Sequence, residues 1–174
     1  MRKIKLFIAM SLDGYIADKD GSVNWLEETG ETGGIDSYDK FIKNIDTVVI
    51  GWNTYKQIVD ELSPDIWPYE GMKSYVLTHR KKVGNRDDIV FTDKNIVDLL
   101  NEIRSEDGKD IWICGGAKVV KQIHNENLID EYHLSIMPVI LGDGVSLFEN
   151  AEKSFLKLKS SNINGNTIEV IYTK

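Results

Sequence analysis

The 174-residue chain is poor in cysteine, proline and positive charge, and it has no long apolar run. A single cysteine, Cys114, excludes an intramolecular disulfide framework. Three scattered prolines, Pro64, Pro68 and Pro138, make no Pro-rich linker, and no repeat or low-complexity block interrupts the chain. Leu6-Phe7-Ile8-Ala9-Met10 falls far below the ~18 apolar residues of a membrane span and is not followed by a signal-peptidase site. Twenty-one basic against 28 acidic residues leave a net charge of −7, which disfavours nucleic acid and anionic membranes as partners. A small-molecule partner and a cytoplasmic location are the expectations.

At about 150 residues per domain, the length predicts one domain over residues 1–174, large enough to bury a core without staples. Apolar runs bounded by Gly, Asn, Asp and Ser predict strands at 4–10, 47–50, 74–78, 89–92, 110–114, 131–137, 155–160 and 167–172, with Asn164-Gly165-Asn166 turning the last hairpin. Spacings of three and four predict helices at 36–44 and 53–62. A third, capped by Asp93, carries Ile96 to Ile103, and a fourth covers 116–124. Strands alternating with helices predict an α/β, three-layer fold: a mostly parallel eight-stranded sheet, an antiparallel C-terminal hairpin and four flanking helices.

Ligands on such sheets gather at strand carboxyl ends, and three of these ends suit an anion. Cys114-Gly115-Gly116-Ala117-Lys118-Val119 follows a strand and opens a helix, so backbone amides can approach a phosphate. Val48-Val49-Ile50-Gly51-Trp52-Asn53-Thr54 repeats the arrangement, with Asn53 and Thr54 as donors. Leu77-Thr78-His79-Arg80-Lys81-Lys82 releases a hydroxyl and a cationic cluster. Each has a structural alternative: a tight turn, a capped helix under Trp52, a solvated loop. The chain has neither the GxGxxG nor the Gly-Lys-Ser/Thr signature, and Gly142-Asp143-Gly144 is too short for one. His79, His124 and His133 lack zinc-site spacing, so no metal is expected.

Taken together, these segments resemble the dihydrofolate reductase fold, and more closely its branch containing the C-terminal reductase domain of riboflavin biosynthesis. Residues 8–17 are similar to the first strand and mobile loop that hold a nicotinamide, with Trp25 closing the loop and the backbones of Ala9 and Ile16 meeting the carboxamide. Gly51, Trp52, Asn53 and Thr54 resemble the turn around the cofactor phosphates. Leu77, Thr78 and Arg80 flank adenosine, and Gly115-Gly116, often joined by a cis peptide, precedes the amides at the pyrophosphate. Residues 128–144 carry the riboflavin-type likeness.

The resemblance implies an NADPH-dependent reductase acting on a pteridine- or pyrimidine-like heterocycle, with 5-amino-6-(5-phosphoribosylamino)uracil reduction as one version. The alternative is a non-catalytic dinucleotide-binding or regulatory module. Two departures bear on it. Trp52 stands where a basic residue is frequent, which shifts NADPH preference onto Arg80, Lys81 and Lys82. The substrate-side carboxylate is displaced to Asp36, the first choice for proton delivery, which also suits a helix cap; Asp13 is the reserve and Ser135 holds a water or orients the acid. Trp25, Asp36 and Ile58 would line the substrate. Cys114 is expected to be buried and unreactive beside the nicotinamide, and a homodimer is expected through the sheet edge near residues 136–141.

Overall fold

The computed structural model describes residues 1–29, 35–80 and 88–174, with the side chains of residues 35 and 36 outside that description. The strands are β1 (Ile4–Ser11), β2 (Tyr15–Ala17), β3 (Ile45–Gly51), β4 (Lys73–Leu77), β5 (Ile89–Thr92), β6 (Asp110–Gly115), β7 (Glu131–Met137), β8 (Val145–Ser146), β9 (Lys157–Asn164) and β10 (Thr167–Thr173). The helices are α1 (Trp25–Glu28), α2 (Ile35–Ile42), α3 (Trp52–Gln57), α4 (Ile96–Ser105) and α5 (Ala117–Asn125).

Eight strands form one sheet in the order β5-β4-β3-β6-β1-β7-β10-β9. Every pairing is parallel except those of β10, which runs against both β7 and β9. Alternation along the central strands fills two cores, the physical reason for three layers. Ile4 and Leu6 of β1 and Ile111 and Ile113 of β6 meet Leu99, Leu100 and Ile103 of α4 and Val120 and Ile123 of α5. Phe7 and Trp112, one residue out of phase, face Phe41 of α2 and Ile58 beyond α3.

The fold class and the eight-stranded sheet agree with the sequence reading; several details differ. There are five helices among the described residues rather than four, because the single turn α1 is too short to show a period. The helix expected over 53–62 begins at Trp52 and continues past Gln57 as a π-helical turn, Ile58–Leu62. Asn95, not Asp93, caps α4, its side chain accepting from the Val97 amide at 2.8 Å. The strand expected over 155–160 lies at Lys157–Asn164 and is exposed along nearly its whole length. Gly165, at φ +60°, turns the hairpin as expected. The edge near residues 136–141 is not a sheet edge: Ile136 pairs with Met10 on one side and Ile168 on the other, and the edge strands are β9 on that side and β5 on the far side.

A two-stranded sheet of β2 and β8 was not legible. It ties the β1–β2 loop to the loop after β7. Asp13 accepts from Ser11 Oγ (2.6 Å) and from the amides of Leu141 (3.1 Å) and Gly142 (2.7 Å), while the Leu12 amide donates to Val139. These donors, Ser11 first, hold the Asp13 carboxyl below its ordinary value. Gly144, at φ +150°, packs where a Cβ would sit 2.2 Å from the Ala17 carbonyl.

Candidate active site

The carboxyl ends of β1, β3, β4 and β6 lie side by side, with Gly51 opposite Leu77 and Ile50 opposite Gly115. A cleft of about 1580 Å³ runs across them. Its floor includes Ala9 of β1 and Ile16 of β2; Cys114 and Gly116 border one wall and Gly51, Trp52, Asn53 and Thr54 the other. Leu77, Thr78 and His79 close the far end, and Ala117, Lys118 and Val119 enter from α5. Ile58 lines the cleft as well.

Two helices start at this cleft with no side-chain cap, α3 after Gly51 and α5 after Gly116. In α5 the amides of Val119 and Val120 turn back to the Gly116 carbonyl, whereas those of Ala117 and Lys118 have no intrahelical acceptor. The helix starts approach closely because both junctions are glycine. A Cβ on Gly51 would lie 3.1 Å from Val119 Cγ2, and one on Gly116 would lie 3.1 Å from Thr54 Oγ1. The Gly115–Gly116 peptide is cis, as the resemblance implied. Glycine at both junctions leaves the first backbone N–H groups of these helices open to the cleft, an arrangement that fits a phosphate group.

Arg80 does not line the cleft but stacks on Trp52, its guanidinium carbon 4.9 Å from the ring centroid. Lys81 and Lys82 lie outside the described residues. Trp25 is 5% exposed, and its indole N–H is buried without an acceptor among the described residues. Asp36 belongs to α2, but its carboxylate lies outside the described side chains. Ser135 pairs with Ala9 in the β1–β7 ladder, yet lines a second cavity on the α2 side.

Sequence reasoning missed Tyr69. Its hydroxyl lies 3.2 Å from Cys114 Sγ at the cleft, and burial, then the neighbouring thiol, pushes its ionisation far above the usual range. Burial also raises the Cys114 thiol to about 11, so it stays protonated and is a weak nucleophile at neutral pH. Nothing in the Trp67-Pro68-Tyr69 loop signals that contact, which depends on tertiary folding across 45 positions.

These features define a dihydrofolate reductase-like fold with a glycine-bordered cleft at its strand ends. The solved structure of dihydrofolate reductase from Enterococcus faecalis complexed with NADP(H) shares this fold, with a TM-score of 0.69 at 16% identity over 98% of this chain and 95% of that one. The RibD C-terminal domain model matches residues 2–170, and the chain belongs to that family. It is 36% identical to Bacillus subtilis YwjB over 174 residues, 99% of this chain and 98% of the relative. A Shewanella sp. PV-4 structure described as a riboflavin biosynthesis protein is 29% identical, with a TM-score of 0.84 and 98% of both chains covered.

Proposed function

We propose that the protein is a nicotinamide-dinucleotide-dependent reductase, preferring NADPH, that reduces a C=N bond in a pteridine- or pyrimidine-like heterocycle. The observation that carries this reading is the convergence of two uncapped helix starts and the end of β4 on one cleft. Membership of the RibD C-terminal domain family and the shared fold with an NADP(H)-complexed reductase support it. The cleft exceeds the ~300–1,000 Å³ of an ordinary ligand pocket, leaving room for a cofactor and a second molecule.

The bound cofactor supplies the hydride. The chain's residues orient it. Gly51, Gly115 and Gly116, with the first amides of α5, receive the pyrophosphate. Leu77 and Thr78 flank the adenosine, and Arg80, braced on Trp52, meets the 2′-phosphate that distinguishes NADPH from NADH. Backbone groups of Ala9 and Ile16 hold the carboxamide and fix which ring face looks toward Ile58 and Trp25. Cys114 and Tyr69 contribute a neutral wall beside the ring. We assign proton delivery to Asp36, with Ser135, next to Ala9 in register, holding the water that serves it.

Calorimetric titration with NADPH and NADH tests the cofactor assignment, and NADPH oxidation against a panel of dihydropterins and aminopyrimidines tests the reaction. Saturable NADPH binding with turnover of a panel member supports the reading. Failure of both coenzymes to bind folded protein overturns it; binding without turnover of any substrate favours a regulatory module. We also propose that the exposed β9 edge forms a homodimer, with Leu158 and Ile163 outward.

A further inference from the structure

Charge is distributed unevenly along the cleft. At the end bordered by β4 and α5, the charged lining residues are Lys94 and Lys118 against Asp93 and Glu126, and Arg80, on the Trp52 ring, adds a cation to that balance. The opposite end is built by two segments that meet through one hydrogen bond. The side-chain amide of Gln57, the last residue of α3, donates to the Gly21 carbonyl at 2.9 Å, which sets the π-helical turn Ile58–Leu62 beside the loop after β2. Val23, Leu26, Ile58 and Leu62 give this end an apolar surface, and Asp20, Asp60 and Glu61 are the acids on it. Lys56 is the cation among its described lining residues, and its ammonium is already 2.9 Å from Asp60.

The bias continues behind the lining. Residues 18–29 and 58–72 together hold eight acids and one lysine, Lys19. Their balance of −7 equals the net charge of the whole chain, so the remainder is neutral. Low-dielectric walls carrying one sign of charge focus their field into a cleft, so this end is negative although Asp20, Asp60 and Glu61 are each exposed. Its other polar groups are uncharged. The Tyr69 hydroxyl, 3.2 Å from Cys114 Sγ, lines the cleft, and so does Gln57. Trp25 stands in α1 between Val23 and Leu26, and its buried indole N–H lacks an acceptor among the described residues. A buried donor of this kind is matched by an acceptor such as a neutral carbonyl or hydroxyl oxygen.

We propose that the cleft selects a heterocycle whose substituent is uncharged or cationic and rejects one whose arm ends in a phosphate. The proposal rests on the reductase reading and names the substrate class of that same site. With the ring between the cofactor and Ile58, the arm leaves past Leu26 and Leu62, where Asp20, Asp60 and Glu61 border the exit. A phosphate monoester would bring a charge of about −2 against these carboxylates, with no unpaired ammonium among the described lining residues of that end to receive it. A hydroxyl or ammonium arm finds acceptors there instead. Reduction of 5-amino-6-(5-phosphoribosylamino)uracil, whose arm ends in phosphate, is disfavoured on this ground.

The test is NADPH oxidation with three dihydropterins that share a ring: the 6-hydroxymethyl compound, its phosphate monoester and the 6-aminomethyl analogue. The pair 5-amino-6-ribitylaminouracil and its 5′-phosphate repeats the comparison on a pyrimidine ring. All five are also titrated calorimetrically into NADPH-saturated protein, so preference is read with or without turnover. The expected result is that phosphate lowers kcat/KM or affinity at least tenfold in low salt, while the aminomethyl compound equals or exceeds the hydroxymethyl one. The discrimination shrinks as salt rises from about 20 to about 300 mM, because exposed carboxylates are screened. Asp20→Lys and Glu61→Lys each reduce it about threefold or more. Each value is a ratio of two ligands on one variant, so a general loss of activity or folding does not mimic the effect. Equal or better use of the phosphate esters in low salt overturns the inference, as does a ratio unmoved in both variants or the failure of all five compounds to bind. Failure of NADPH itself to bind overturns the reductase reading and this inference with it; NADPH oxidation that prefers a phosphate ester overturns this inference alone.

Discussion

The guanidinium carbon of Arg80 lies 4.9 Å from the centroid of the Trp52 indole, so a cation three residues beyond β4 is tied to the first residue of α3, which lines the cleft. A guanidinium held over an aromatic face can still donate N–H groups at its edge, which is how Arg80 would meet a phosphate in the proposed cofactor site. Arg80→Ala is expected to weaken NADPH about tenfold or more, corresponding to ~1.4 kcal/mol or more for a lost charge-assisted contact, and NADH less than twofold. Trp52→Ala gives a smaller loss in the same direction. Titration of both coenzymes into both variants checks this.

Asp36→Asn is expected to lower turnover at least tenfold while NADPH affinity stays within twofold, because the residue is assigned to proton delivery and not to the cofactor. Steady-state rates across pH provide the measurement. Turnover within threefold of the native protein rejects the assignment and leaves Asp36 as a helix-start residue.

Gly144→Ala places a methyl 2.2 Å from the Ala17 carbonyl at φ +150°, where an L side chain is also strained. A loss of about 2 kcal/mol is expected, or about 4–8 °C in Tm for a chain of this size. Gly14→Ala, with open space around its Cβ, carries only the backbone penalty of φ +87° and so loses less. Differential scanning calorimetry of the pair separates crowding from backbone strain.

Acidification should destabilise the protein in two stages. Burial, opposed by the Glu131 partnership, holds the His133 pKa below its ordinary 6.5, so the unfolded chain binds this proton more readily and stability falls as pH drops below about that value. Glu131 is driven well below the ordinary carboxylate range by Lys159, Lys3, His133 and Lys5 together, against its burial. Its contribution is full above about 4.5 and declines as pH falls further. Urea titrations from about pH 8 down to about pH 2.5 should show a shallow decline and then a steeper one, the steeper part being reduced in Glu131→Gln.

Ile163→Lys, at an exposed position of the edge strand, is expected to shift a dimer to monomer in sedimentation velocity. A native chain that sediments as a monomer at micromolar concentration refutes the homodimer.

The central strands were legible because β3, β6 and β7 are apolar enough, and short enough, to read as buried parallel strands, and the glycines after β3 and β6 mark where the backbone must approach something. What stayed hidden depends on partners distant in the chain. β9 carries no apolar rhythm because both its faces are exposed, so Phe155, 85% exposed, drew the expected strand two residues too early. β2 and β8 have only three and two residues and exist through each other. Asp93 and Asn95 are both good caps, and the helix geometry, not residue type, selects Asn95. The alternation of β10 places Glu169 on one face, but only the tertiary packing of Ser37 from α2 against it shows that the carboxylate is buried.

Asp13 gathers donors from its own loop and from the segment after β7, and Gly144 lets β8 lie against β2. The wall that Ile16, Ala17 and Val145 give the cleft is thus two-ply, its plies drawn from opposite thirds of the chain. Neither ply is anchored by its own segment alone, so the backbone beside Ala9 and Ile16 is held in place as much by residues 139–146 as by residues 11–17.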